Sequence, residues 1–153
     1  MKHFNLERTA RVLHVQIATT ERQKQDAFDI RQQVFVIEQQ VSPEEEYDEY
    51  DHAATHVVLY DNGVPVAAGR TRTVDKETFK IERICVLASH RQKGAGRLIV
   101  EALEQAAIQR GLHKAKLHAQ TQAEGFYQKL GYHTISDVFM EADIPHVVMV
   151  KEL

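Results

Sequence analysis

The sequence predicts a single domain of the α/β (α+β) class, with a mixed central sheet of about seven strands flanked by about four helices. Three observations predict it. The 153 residues are the length of one ordinary domain, and no internal repeat, low-complexity tract or Ser/Gly/Pro-rich linker divides residues 1–153. The hydrophobic pattern runs β-α-α-β-β-β-α-β-α-β-β, so an antiparallel meander precedes one β-α-β crossover and a terminal hairpin. A turn rich in glycine and cations, RQKGAGR, joins the first strand of that crossover to its helix.

Each element has a local cause. RVLHVQIA (11–18) alternates apolar and polar residues and reads as a strand. Thr20-Glu21-Arg22-Gln23 has the spacing of a capping box, and Ala27, Phe28, Ile30, Val34, Phe35 and Ile37 continue it at helical intervals to about residue 38. Ser42-Pro43-Glu44-Glu45 repeats the capping logic with proline in the first turn of a short second helix. THVVLYDNGVPVAAGRTRTV is a hairpin about Asn62-Gly63, a pair that accepts the positive φ angles of a tight turn. FKIERICVL (79–87) is a largely apolar strand, and GAGRLIVEALEQAAIQRG an amphipathic helix closed by Gly111. AKLHAQ (115–120) is a strand and AEGFYQKLG a short helix ending at Gly131. HTISDVFMEADIPHVVMVKEL supplies two last strands around a turn near Asp143 to Pro145.

Composition excludes more than it assigns. A net charge of −3 gives no reason to expect nucleic acid as a partner. No apolar run approaches the roughly 20 residues that span a bilayer. MKHFNLERTARVLHV has no apolar signal core, and the single cysteine, Cys85, fits a reducing compartment, so a cytoplasmic protein is expected. His52 and His56 have the spacing of a metal pair without the glutamate of an HExxH motif, and no metal is expected.

The glycine turn invites an anion. It lacks the Walker pattern, and Gly94-Ala95-Gly96 is followed by Ile99 where a dinucleotide fingerprint needs glycine. The pattern Arg-x-x-Gly-x-Gly is met by Arg91-Gln92-Lys93-Gly94-Ala95-Gly96. Two glycines let backbone N–H groups approach a phosphate, the following helix adds its positive end, and Arg91, Lys93 and Arg97 add charge. The alternative is a tight turn whose cations are solvated.

From Phe79 to Tyr132 the chain resembles the GNAT superfamily of N-acetyltransferases, and within it a small bacterial subgroup of predicted acyltransferases. The resemblance rests on Ile84-Cys85-Val86-Leu87-Ala88 before the Arg91 loop, and on Ala123-x-x-x-Tyr127-x-x-x-Gly131-Tyr132 after it. Ala88 stands where proline is common, Gln92 where glycine is frequent, and Gln120 where many members carry an asparagine.

The resemblance implies a GNAT fold that holds acetyl-CoA in a V between two diverging parallel strands, here 81–87 and 115–120. The pyrophosphate would rest on Arg91, Gln92, Lys93, Gly94, Ala95, Gly96 and Arg97. The pantetheine arm would meet the backbone of Ile84, Cys85 and Val86, with Gln120 and Tyr127 completing the coenzyme contacts. It further implies direct acetyl transfer to an amine of a small molecule or peptide, with Glu82 as base through water and Tyr127 as acid to the leaving sulfur.

A carboxylate on an apolar strand needs a reason. For Glu82 that reason is either the base role or pairing with Arg70 or Arg72 on the preceding strand. Cys85 is expected to be a small packing residue.

Six acids within residues 44–51 read either as a solvated surface or as a negative rim for a cationic amine. The helix containing Arg31-x-x-Val34-Phe35-x-x-Glu38-Gln39 is also similar to one in acyl-homoserine-lactone synthases, although this chain has none of their tryptophans. A non-catalytic acyl-CoA sensor is the alternative from another class. The apolar final strands, read as sheet edges, leave a homodimer open.

Overall fold

The computed structural model describes residues 12–153; Arg11, and with it the start of the expected first strand, lies outside them. The strands are β1 Leu13–Ile17, β2 Thr55–Asp61, β3 Val64–Thr73, β4 Thr78–Val86, β5 Lys114–Gln120, β6 His133–Thr134, β7 Phe139–Glu141 and β8 Ile144–Glu152. The α-helices are α1 Glu21–Arg31, α2 Pro43–Glu46, α3 Ala95–Ile108 and α4 Glu124–Lys129. They form a mixed α/β fold around one sheet of order β1-β2-β3-β4-β5-β8-β6, with β7 also on β8. Only β4 and β5 pair in parallel; the other neighbours are antiparallel.

Local signals account for most element ends. Thr20 and Gln23 form the capping box of α1. Asn62 and Gly63, at φ 51° and 85°, make the two-residue turn between the paired Asp61 and Val64. At the end of α3, Gly111 sits at φ 83°, its N–H donates to Ile108 O, and Leu112 N–H donates to Ala107 O. This is a Schellman stop. The same pattern recurs at Gly131, with Tyr132 N–H donating to Tyr127 O. The spacing Tyr127-x-x-x-Gly131-Tyr132 therefore has a helix-stop meaning of its own, with the two tyrosine rings in edge contact at 6.0 Å.

Three expectations need correction. The helix from residue 21 does reach 38, but Gln32–Glu38 is π-helical, and it closes with Gln40 at φ 61°. The terminal turn is Ala142-Asp143, and Pro145 already belongs to β8. The segment VVMVKEL is not an edge: β8 lies between β5 and the β6/β7 pair, which together act as one interrupted seventh strand.

The sheet buries apolar residues on both faces. On one, α3 packs Ile99, Val100 and Leu103 against Val57, Leu59, Phe79, Ile81 and Leu117. Gly69 on β3 permits this approach, because a Cβ there would stand 2.7 Å from Ile99. On the other face Ala27, Ile30 and Val34 meet Val58, Ala68 and Cys85. No described helix is long and apolar enough to cross a membrane.

Candidate active site

The site begins where two strands part. β4 and β5 pair from Thr78–Lys114 to Ile81–Leu117 and no further, although β4 runs on to Val86 and β5 to Gln120. A β-bulge explains the divergence. Arg83 adopts φ 61°, and the β3 register shifts between Ala68 and Arg70 opposite it. Such a bulge kinks a strand and sharpens its twist. Beyond the last pair, the edge of β4 that faces β5 has no ladder partner. Leu87 N–H donates to Val66 O, so by alternation the expected backbone contact at Cys85 is turned to Ala68 on β3. Val86, its carbonyl held by Arg91, keeps its N–H toward the V for an extended ligand, with Ile84 two residues before it.

The glycine loop closes the wide end of this V. Gln92 and Gly94 take φ 62° and 87°, and α3 starts at Ala95 with no side-chain cap on its first N–H groups. Alternating left-handed residues ahead of a helix N-terminus make an anion-binding concavity. Gly96 allows close packing as well, since a Cβ would lie 3.1 Å from the Phe126 ring on α4. The cations divide by role. Arg91 donates through Nε to Val86 O at 2.9 Å, and both terminal nitrogens donate to Glu38 at 2.6 Å. It therefore clips the loop to the end of the π-helix instead of facing the loop as a free charge. Arg97 pairs with Glu101 along the helix, whereas Lys93 meets only the Ser89 carbonyl at 3.4 Å.

The end of the π-helix also reaches the far side of the V. Gln120 Nε2 donates to Gln39 Oε1 at 2.9 Å, and Gln39 Nε2 returns a 3.4 Å bond, so this amide pair bridges from helix to β5. Glu38 and Gln39 entered the sequence reading only within the Arg31-x-x-Val34-Phe35-x-x-Glu38-Gln39 pattern, with no partner assigned to either. Their signal was only a helix ending opposite two later elements.

Glu82 points to the α1 face and is enclosed by cations. Arg72 Nε lies 2.9 Å away, an Arg70 terminal nitrogen 3.0 Å and Lys80 Nζ 3.1 Å. Burial opposes its charge, but hydrogen bonds and attraction from these three groups win and hold the carboxyl at about 2. The pairing with Arg70 and Arg72 that the sequence allowed is thus present.

The acidic run also departs from both sequence readings. Glu46, Asp48 and Asp51 turn inward onto arginines, leaving Glu44, Glu45 and Glu49 exposed. Arg31 contacts Glu46 at 2.8 Å and Asp51 at 2.6 Å, Arg70 contacts Asp48 at 2.7 Å, and Arg83 contacts Asp48 at 3.1 Å. Half of the supposed negative rim is neutralised. The overlooked signal was Arg31 standing beside Ile30 on the apolar stripe of its helix, where a buried cation demands partners.

Tyr127 is buried beside Phe126 and Tyr132 in the α3-side core, and its hydroxyl makes no hydrogen bond within the described residues. Burial pushes the phenol up, so it is a donor, not a phenolate. Cys85 is buried, with Sγ 3.7 Å from Ala68 O, and burial pushes its thiol up to about 12. That excludes a ready nucleophile. His52 is exposed while His56 is buried with Nε2 2.8 Å from Asp51 O, so the two do not form a metal pair.

Comparison with known proteins agrees with this architecture. The family model described as an acetyltransferase (GNAT) domain matches residues 18–153. The Bacillus subtilis protein described as the uncharacterized N-acetyltransferase YjcF is 50% identical over 137 residues, covering 89% of this chain and 97% of its own. A candidate N-acetyltransferase structure from Lactobacillus plantarum superimposes with TM-score 0.87 at 28% identity, covering 93% of this chain and 99% of its own. An acyl-CoA N-acyltransferase from Pseudomonas aeruginosa does so with TM-score 0.78 at 26% identity, covering 93% and 99%. With its strands parted before an uncapped glycine loop, and with these relatives across nearly its whole length, the chain belongs to the GNAT acetyltransferase family.

Proposed function

We propose that this protein transfers an acetyl group from acetyl-CoA to an amine of a small molecule or peptide, directly and within a ternary complex. The observation that carries the reading is the V between β4 and β5 opening onto the left-handed loop at the start of a 14-residue helix. In this reading the backbone N–H groups of Gln92 to Arg97 and the Lys93 charge hold the pyrophosphate, and Arg91 fixes the loop through Glu38. Ile84 and Val86 offer backbone groups to the pantetheine arm, while Cys85 pairs with β3, and the Gln39–Gln120 bridge lines the opposite wall. From residue 82 to residue 86 the strand rises about 13 Å at 3.3 Å per residue, long enough to pair with much of an extended pantetheine arm.

Tyr127 donates to the sulfur as the thiolate leaves, and its neutral phenol suits that task. Glu82 fits the base role poorly, because a carboxyl held at about 2 by three cations is a weak proton acceptor. It serves instead to anchor Arg70, Arg72 and Lys80 beneath the site. With Glu46, Asp48 and Asp51 paired to arginines, only Glu44, Glu45 and Glu49 are left to favour a cationic acceptor.

Calorimetric titration of the purified protein with acetyl-CoA, with NADH and ATP as controls, tests the donor. Selective acetyl-CoA binding that weakens at least tenfold in Gly94→Glu is expected, since that substitution puts a charge of the wrong sign and a strained residue in the loop. Folded protein that ignores acetyl-CoA would sink the proposal.

A further inference from the structure

With Glu82 committed to three cations, the amine proton needs another acceptor, and the register of the V supplies one. Ile81 and Leu117 are the last paired residues of β4 and β5, so Glu82 and His118 are the first residues past the vertex, one on each arm. Leu117 and Ala119 are buried in the α3-side core, which turns His118 to the opposite face, the face that Glu82 also occupies. Its side chain is 21% exposed and therefore reachable.

The imidazole is already positioned. Nδ1 lies 2.9 Å from Glu141 Oε1 on β7, and the carboxylate can only accept, so Nδ1 carries the proton and Nε2 keeps the free lone pair. The Phe139 ring packs edge-on against it at 5.1 Å and also stacks on His146. Hydrogen bonding from His118 pulls the Glu141 carboxyl down, which keeps it charged for this task. The other titratable groups around the imidazole are His146 on β8, Lys116 on its own strand, and Lys80 and Glu82 on β4.

Resting on the acetyltransferase reading above, we infer that His118 is the general base of this site and that Glu141 is its positioning residue. An arm entering at the glycine loop brings its thioester toward the vertex, where His118 stands on the α1 face, while Tyr127 lies in the core on the α3 face. The amine nitrogen then forms a C–N bond to the acyl carbon while the C–S bond breaks. His118 Nε2 takes the amine proton, and the sulfur receives one from Tyr127, which solvent replenishes.

The test measures acetyl-CoA affinity by calorimetry and coenzyme release by a thiol reagent, with a panel of primary amines and with water as acceptors. His118→Asn keeps a donor to Glu141 but has no basic lone pair. It is expected to bind acetyl-CoA within twofold of wild type and to release coenzyme at least 50-fold more slowly, the range of a lost general base. Glu141→Gln should lose about five- to tenfold in kcat with acetyl-CoA affinity within twofold, and Glu141→Asp should recover part of it, because the acceptor that holds the proton on Nδ1 and leaves Nε2 free is lost and then restored. No acetyl-CoA binding by wild type refutes the donor assignment itself. Normal binding with turnover in His118→Asn within threefold of wild type refutes only the base. Binding by wild type without release to any amine or to water overturns the base as well.

Discussion

Replacing Arg70 with methionine tests the buried charge network that holds the first helices against the sheet. Arg70 is wholly buried and contacts Asp48, Asp51 and Glu82 at 2.6–3.0 Å. Glu82 is held at about 2 against an ordinary 4.5, and Asp48 at about 2 against 3.8. At 1.36 kcal/mol per pKa unit these correspond to about 3 and about 2 kcal/mol of stability at neutral pH. Because both acids share Arg70, and Glu82 keeps Arg72 and Lys80, the two figures do not simply add. A loss of about 3–5 kcal/mol for Arg70→Met is expected, the range for orphaning one side of a buried pair.

The pH dependence gives the sharper check. Both carboxyls are depressed by folding, so their contribution is full above the unfolded value near 4.5 and fades as pH falls toward 2. At pH 3 Glu82 retains only about 40% of its contribution. Urea unfolding at pH 7 and pH 3 should therefore show a deficit in the variant that shrinks to under half at the lower pH. In thermal melts the neutral-pH loss corresponds to roughly 6–20 °C for a domain of this size. A deficit below about 1 kcal/mol at pH 7, or one unchanged at pH 3, would refute the reasoning.

Tyr127→Phe should lower kcat by about 100-fold while leaving acetyl-CoA affinity within twofold; equal losses in both would make Tyr127 a packing residue of the helix stop. Arg91→Ala should cost no more than about 1 kcal/mol of stability, because the Arg91–Glu38 pair is half exposed, yet weaken acetyl-CoA about tenfold by releasing the loop. Glu38→Ala should weaken acetyl-CoA similarly, and unchanged affinity in both variants would remove the clip. Cys85, buried with its thiol pushed to about 12, should resist thiol reagents in the native protein at pH 8 and react at once in denaturant. Labelling at the rate of the unfolded chain would show that the core on the α1 face opens readily.

Much of the fold was legible because its signals are local. The Asn62-Gly63 turn, the Thr20 capping box and the stops at Gly111 and Gly131 each follow from φ preferences or hydrogen bonds within six residues, and the structure has all four. The loop Arg91 to Arg97 was likewise readable as a strand-to-helix turn, with glycine at one of its two left-handed positions, Gly94, although Gln92 at the other gave no such signal. Periodicity could not reveal the π-helical winding of Gln32–Glu38, since helical forms of slightly different pitch bury nearly the same stripe over seven residues. Nor could it place β8 inside the sheet, because an apolar strand reads alike at an edge and in the middle.

The sequence by itself thus determined the order of elements, most of their ends, and the presence of a glycine loop able to receive an anion. Only the tertiary structure decided which charges meet. Arg91 turns to Glu38 across 53 residues, Gln120 to Gln39 across 81, and Arg70 to Asp48 and Asp51 across about 20. The same folding commits Glu82 to three cations and leaves His118 on Glu141 at the vertex of the V. Backbone preferences act between neighbours and can be read in order along the chain. The partner of a buried charge is set by strand register and helix docking, which bring distant residues together only once the sheet has formed.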